Sequence, residues 1–252
     1  MSSAVYPSLK GRVVVVTGGG SGIGSAITEG FARQGAKVVF LDVAEADSKA
    51  LAASLSDLSP APEFRLCDLT DLAAVKAEFE AIAAAHGPVE VLVNNAANDD
   101  RHSLGEVTPE YWDNRIAVNL RHLFFCAQAV APAMQAKGQG VILNLGSISW
   151  HLGLPDLALY ETAKAGIEGM TRALARELGA DGVRVACIVP GNVKTPRQMK
   201  WYTPEGEAEI VAAQCLKGRI EPKDIAAMAM FLASDDARFV TGHEYFVDAG
   251  WR

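Results

Sequence analysis

Ser147, Tyr160 and Lys164 are the residues whose types and order bear most directly on chemistry. Tyr160 and Lys164 stand four apart in LALYETAKAGIEGMTRALAREL, a strongly helical stretch, so both side chains leave one face. A phenol titrates near pH 10 and needs help to act as a general base at neutral pH. A lysine cation about 5 Å away, at an effective dielectric near 20, is worth roughly 3 kcal/mol, a little over two pKa units, which brings the phenolate toward neutrality. Ser147 follows the apolar run GVILNLG and can hold the oxygen of an alcohol while Tyr160 takes its proton and hydride leaves the adjacent carbon. Tyrosine and lysine at this spacing, taken alone, equally describe a solvated helix face.

A second group binds rather than reacts. Thr17-Gly18-Gly19-Gly20-Ser21-Gly22-Ile23-Gly24 follows the valine run at Val13 and leads into the helical SAITEGFARQG. Glycines let a backbone turn tightly and approach a pyrophosphate, and the next helix offers unpartnered N–H groups to an anion. Gly18, Ser21, Gly22, Ile23 and Gly24 are the expected contacts, although a glycine turn on its own is as readily a steric device. Asp42 strengthens the cofactor reading: it ends the second apolar run 24 residues beyond Gly18, near the offset at which a carboxylate accepts from an adenosine ribose. A carboxylate there repels a 2′-phosphate, and no Arg or Lys lies in the turn or directly after Asp42, so NAD rather than NADP is the expected cofactor. Asp42 as a helix cap or plain loop acid is the alternative.

The elements that must position these groups alternate along the chain. Short β-branched runs, VVVV from Val13, KVVFLD to Asp42, EFRLCD to Asp68, VEVLVN to Asn94, GVILNLG to Gly146, VRVACIV to Val189 and EYFVD to Asp248, make seven candidate strands. Several are apolar throughout, as in strands buried on both faces. Ala/Leu/Glu-rich stretches lie between them, and two open with a capping Thr before Pro, at Thr108-Pro109 and Thr203-Pro204. The pattern predicts an α/β fold, a doubly wound seven-stranded parallel sheet with helices on both faces, in a single domain over 1–252. Residues 195–217 are the least sheet-like part and a candidate lid.

Composition bounds the function. Half of the 252 residues are apolar, enough for a sizeable core, and 23 basic against 30 acidic residues give a net charge of −7. Basic clusters no longer than Lys10–Arg12 and Lys217–Arg219 argue against a nucleic-acid partner. No apolar run nears the ~20 residues that span a bilayer, and MSSAVYPSLKGR has no signal-peptide pattern, so no membrane partner and a cytoplasmic location are expected. Cys67, Cys126, Cys187 and Cys215 form no CxxC pair and the five histidines no zinc spacing, so buried free thiols and no metal are expected.

TGGGSGIG from Thr17, Asp68-Leu69, NNAA at Asn94–Ala97, Asn119, Ser147, Tyr160 with Lys164, and PGNVKT at Pro190–Thr195 together resemble the motif series of the short-chain dehydrogenase/reductase family, in order and over essentially the whole chain. The resemblance implies a Rossmann fold, hydride transfer on an alcohol/carbonyl pair, and a homotetramer. It implies Asn119 in a water-bridged proton relay with Lys164, Asp68 and Leu69 at the adenine, and Asn95 and Ala96 at the nucleotide edge. Val193 and Thr195 would meet the nicotinamide amide and Lys164 its ribose, with Pro190 and Tyr160 beside them. Ala97, where the family has glycine, and Val193, where isoleucine is common, are mild departures.

NDDRH (Asn98–His102), SWHLG (Ser149–Gly153) and KWYTPEGEA (Lys200–Ala208) are rich in hydrogen-bonding groups and aromatics. Such residues suit a polyhydroxylated sugar, and equally a packed lid and a solvated turn. With LYETAKAGIEGMTRALAREL, PGNVKT and AAQCLKGRI, these segments resemble the NAD-dependent aldose 1-dehydrogenases of the family. That resemblance implies oxidation of an anomeric hydroxyl, D-xylose being the first expectation, to a lactone. Asn98, Ser147, Ser149, His151, Asn192 and Trp201 are the expected sugar contacts. Another aldose, a polyol or a 3-oxoacyl substrate is the alternative. A non-catalytic dinucleotide sensor is the rival of another class, and it has no use for Ser147, Tyr160 and Lys164 together.

Overall fold

The computed structural model of the chain describes residues 4–200 and 202–251. Strands β1 (Val13–Thr17), β2 (Lys37–Asp42), β3 (Glu63–Leu66), β4 (Val91–Asn94), β5 (Gly140–Leu145), β6 (Val183–Pro190) and β7 (Glu244–Val247) form one sheet in the order β3-β2-β1-β4-β5-β6-β7. Every neighbouring pair is parallel. All seven predicted strands are present and end within two residues of expectation. Helices α1 (Gly22–Arg33), α2 (Glu45–Ser54), α3 (Leu72–His86), α4 (Pro109–Ile116), α5 (His122–Lys137), α6 (Ser149–Leu152), α7 (Ala158–Leu178), α8 (Pro204–Ala213) and α9 (Pro222–Ala233) alternate with them.

The apolar strands are buried on both faces because helices cover both. Val14 and Val16 of β1 face a cluster with Ile27 and Phe31 of α1 and Ile225 and Met230 of α9. Val13 and Val15 face the other, with Val75 and Phe79 of α3 and Cys126 and Val130 of α5. At about 25 cal/mol per Å² of apolar surface, such two-sided burial is the main force setting strand position. The chain winds outward through β2 and β3, then returns to the far side of β1 at β4. The crevice at the carboxyl ends of β1 and β4 is therefore the topological switch point, where doubly wound sheets bind ligands.

Polar ties fix these strand ends. Thr17 Oγ1 accepts from the N–H groups of Asn95 (3.0 Å) and Ala96 (3.2 Å). Asn94 Nδ2 donates to Asn144 Oδ1 (2.9 Å), and Asn144 Nδ2 to Thr171 Oγ1 of α7 (3.0 Å), all three fully buried or nearly so. This chain locks α7 to β4 and β5.

Both Thr-Pro caps form: Thr108 Oγ1 accepts from Tyr111 N–H and Thr203 Oγ1 from Gly206 N–H. A π turn over Ala117–Arg121 joins α4 to α5, an irregularity that helical periodicity does not reveal. Residues 194–220 form an excursion closed at its base, where Val193 bridges Ile220 and Lys194 N–H donates to Ile220 O (2.8 Å). Cys67, Cys126 and Cys187 are buried thiols and Cys215 is exposed.

Candidate active site

A cleft of about 750 Å³ opens over the switch point. Its walls include Gly18, Ser21, Gly22, Ile23, Gly24, Asp42, Asp68, Leu69, Asn95 and Ala96 at one end. Asn98, Ser147, Ser149, Tyr160, Lys164, Pro190, Asn192, Val193 and Thr195 line the rest. The fold thus brings together residues spread from 18 to 195. Asn119 and His151 are not among the lining residues. Trp201 lies outside the described residues.

The glycine end is shaped by close backbone approach. A Cβ on Gly18 (φ +62°) would fall 2.7 Å from Ala96 Cα, and one on Gly24 would fall 1.9 Å from Gly18 O. Larger residues would therefore push the turn off the strand ends. Asn95 Nδ2 donates to Thr17 O (3.0 Å) and Gly18 O (2.9 Å), so its amide pins the turn as well as edging the cleft. Helix α1 begins at Gly22, and Ser21 makes no side-chain cap, which leaves the first-turn N–H groups directed at the cleft. This donor set fits a diphosphate. Asp42 accepts from Gly20 N–H (2.8 Å) and Ala44 N–H (2.9 Å), one per carboxylate oxygen, with acceptor capacity remaining on each. Asp42, Asp47 and Asp68 line this end, and no Lys or Arg does.

Ser147 follows β5 directly, and its Oγ lies 2.9 Å from Ser149 Oγ and accepts from Ser149 N–H (3.2 Å). It also hydrogen-bonds the Tyr160 side chain. Lys164, one turn along α7, is buried; its Nζ donates to Leu145 O (2.7 Å) and sits 5.4 Å from the centre of the Tyr160 ring.

The electrostatics correct one sequence expectation. Among the protein's own groups, burial raises the Tyr160 phenol above its ordinary value, and Asp99 adds to the rise; the Ser147 hydrogen bond and Arg197 oppose it. The lysine does not carry the phenol to neutrality, because burying a charged form costs more than the surrounding charges return. Lys164 is itself pushed down to about 8, again mainly by burial.

Two other expected residues have side chains bonded within the protein. Asn119 in the π turn accepts from Asn98 N–H (2.8 Å) at Oδ1 and donates to Asn98 O (3.0 Å) from Nδ2, holding the segment after β4. The His151 ring packs on Trp150 and Phe246 and meets Glu168 Oε1 at 3.0 Å. Trp150 Nε1 donates to the same oxygen (2.9 Å). His151 Nε2 thus anchors α6 to a buried carboxylate on α7.

Residues beyond the six expected sugar contacts close the far end. Arg197 Nε donates to Asp99 Oδ1 (2.9 Å), and its Nη2 to Asp100 Oδ1 (2.7 Å) and Asn98 Oδ1 (3.1 Å). Gln198 Nε2 donates to Asp99 Oδ2 (2.8 Å). Asn192 Nδ2 donates to Tyr202 OH (2.6 Å), which donates to Gln198 Oε1 (2.9 Å), while Asn192 Oδ1 accepts from Arg219 (2.8 Å). Asp99, Arg197, Gln198, Tyr202 and Trp251 all line the cleft. The adjacency of NDD to NNAA and of Pro196-Arg197 to PGNVKT was the available signal for the first two; nothing local marks Trp251.

A family profile described as enoyl-(acyl carrier protein) reductase matches residues 18–252. The chain is 68% identical over 252 residues, 100% of both chains, to D-xylose 1-dehydrogenase of Caulobacter vibrioides. It is 47% identical over 252 residues, 99% of this chain and 98% of the relative, to a probable galactose dehydrogenase of Rhizobium meliloti. A crystal structure of a blue fluorescent protein from a metagenomic library, in complex with NADPH, superposes with a TM-score of 0.88 at 37% identity, covering 97% of this chain and 99% of that one.

Proposed function

Because the chain belongs to the short-chain dehydrogenase/reductase family of oxidoreductases, we propose that it oxidises the anomeric hydroxyl of an aldopyranose, D-xylose first, to the lactone with NAD⁺. The observation that carries the chemistry is the meeting of Ser147, Tyr160 and Lys164 in the same cleft as a diphosphate-shaped glycine turn. The sugar is supported by full-length similarity to one pentose and one hexose dehydrogenase. NAD in preference to NADP is supported by the three aspartates at the glycine end and the lack of a lining cation there.

Gly18 and Ser21 to Gly24 would hold the cofactor's diphosphate, Asp42 its adenosine ribose, Asp68 and Leu69 its adenine, Asn95 and Ala96 its edge, and Pro190, Val193 and Thr195 its nicotinamide end. Bound NAD⁺ supplies the hydride acceptor. Ser147 Oγ holds the C1 oxygen of the sugar, and Tyr160 Oη takes the C1 hydroxyl proton as hydride leaves C1, giving the C1 carbonyl of the lactone. The Lys164 ammonium, anchored on Leu145 O, supplies positive charge beside the developing phenolate and would hold the nicotinamide ribose. Asn119, whose side chain fixes Asn98, would join Lys164 in a water-bridged proton relay.

The working form we propose is a single domain with 195–217 as a lid, assembled as a homotetramer in the cytoplasm; sedimentation returning a monomer overturns the assembly. The activity is tested by turnover with NAD⁺ and NADP⁺ against D-xylose, L-arabinose, D-glucose and a polyol panel. Tyr160→Phe should lose about 10³-fold or more in kcat while binding NADH within a few-fold of wild type. Oxidation of none of the aldoses overturns the sugar reading, and undiminished turnover by Tyr160→Phe removes the assigned base.

A further inference from the structure

At the far end of the cleft, Trp251 differs from its neighbours in its polar bonding. Asn192 uses its amide on Tyr202 and Arg219, and Tyr202 uses its hydroxyl on Asn192 and Gln198. These groups are committed within the protein and have little left for a ligand. The Trp251 indole differs: it is half-buried, it lines the cleft, and its Nε1–H has no hydrogen-bond partner among the described residues. The ring packs against the apolar cluster of Ile148, Ile167, Cys187 and Val189, which supports the turn carrying Ser147 and Ser149.

The backbone holds this ring deliberately. Ala249, immediately before Gly250, has φ +56°, a left-handed conformation that a non-glycine residue adopts only under strain. Around it, Cys215 and Leu216 donate their N–H groups to Ala249 O (2.9 and 3.0 Å), and Gly250 N–H donates to Asp248 Oδ1 (2.9 Å). Cys215 Sγ donates to Gly250 O (3.1 Å). The strained turn is thus bonded on both sides, to the segment after α8 and to its own aspartate, and it delivers the next side chain to the cleft.

We propose that Trp251 is a specificity-determining residue: its ring face receives the C–H face of the aldopyranose and its Nε1–H donates to a ring hydroxyl, while Ser147 holds the C1 oxygen. An indole offers a large apolar surface and one fixed donor, the pairing that a pyranose with one apolar face and an equatorial rim of hydroxyls can use. This inference rests on the sugar reading above.

The experiment compares the wild type with Trp251→Phe and Trp251→Ala. Each is assayed for sugar KM, NAD⁺ KM and kcat, and titrated with sugar in the presence of NADH while indole fluorescence is followed. Trp251→Ala should raise the sugar KM at least 10-fold with NAD⁺ KM within 2-fold. Trp251→Phe, which keeps an aromatic face and loses the donor, should raise it about 3- to 5-fold and lose most of the fluorescence response to sugar. An unchanged sugar KM in both variants, or a parallel rise in NAD⁺ KM, overturns the role of Trp251 and leaves the sugar reading standing. A wild type that oxidises no aldose overturns both.

Discussion

At the glycine end of the cleft, side chains bond to backbone: Asn95 to Thr17 O and Gly18 O, Asp42 to Gly20 N–H and Ala44 N–H. At the far end, side chains bond to one another across long stretches of sequence, as when Arg197 and Gln198 reach Asp99 from almost 100 residues away. The first arrangement is set once the strands are in register, because its partners sit at adjacent strand ends. The second depends on long, flexible, partly wet groups; the Arg197 side chain is 50% exposed. Exposed pairs of this kind contribute about 0.2–1 kcal/mol each. A rigid cofactor end and an adjustable substrate end let one scaffold keep its hydride chemistry while its substrate varies.

The largest of the effects that separate the two ends tests the rigid one. Asp42→Asn keeps an acceptor for Gly20 N–H or Ala44 N–H but removes the negative charge. The ratio of kcat/KM for NAD⁺ over NADP⁺ should fall at least 10-fold, with sugar KM moving less than 2-fold. A ratio that stays constant would mean that Asp42 serves only as a brace for the turn, the role its two backbone bonds already give it.

His122 probes the wall between the two ends. It is fully buried, Nε2 donates to Ala96 O (3.2 Å), and burial pushes its pKa down to about 4. The unfolded chain takes up this proton below about pH 6.5, the folded chain only near 4, so its contribution is complete above 6.5 and is lost as pH falls between those values. The loss by pH 5.5 is about 1 kcal/mol. Urea unfolding of His122→Gln should therefore show a smaller drop between pH 7.5 and 5.5 than wild type, by about that amount. An identical drop would place the acid sensitivity elsewhere.

The contrast between the ends also explains what the sequence made legible. Strands, both Thr-Pro caps and the glycine turn follow from short-range rules: apolar runs, a fixed φ at proline, and glycine where Gly18 and Gly24 meet backbone. Ser147, Tyr160 and Lys164 were readable because one helix turn and one strand end place them. The phenol's environment was not, because burial is a property of the assembled cleft and reverses the sign expected from the lysine alone. His151 reads as a sugar contact by residue type, but the buried carboxylate its Nε2 meets, Glu168, is 17 residues away and becomes its neighbour only when α6 packs on α7. Trp251 carries no local signal at all; its place in the cleft follows from the turn at Ala249 and its bonds to Cys215 and Leu216.

The smallest effect addresses the adjustable end. Arg197→Ala removes three donated hydrogen bonds to Asn98, Asp99 and Asp100, all at an exposed rim, so the sugar KM should rise only about 3- to 10-fold. The same substitution alters the acid limb of the rate profile. Arg197 lowers the Tyr160 pKa and Asp99 raises it, so losing the arginine leaves the aspartate unopposed. A base that is harder to ionise moves the rise of kcat/KM with pH to higher pH. Arg197→Lys restores the charge but not the planar fork, so it should recover the position of the limb better than it recovers the sugar KM. If NAD⁺ KM rose with the sugar KM, the two ends would share one mechanical unit and the division between them would fail. If only the sugar KM and the limb moved, the rim would be an independent clamp, closing over whatever the chemistry at Ser147 and Tyr160 is given to oxidise.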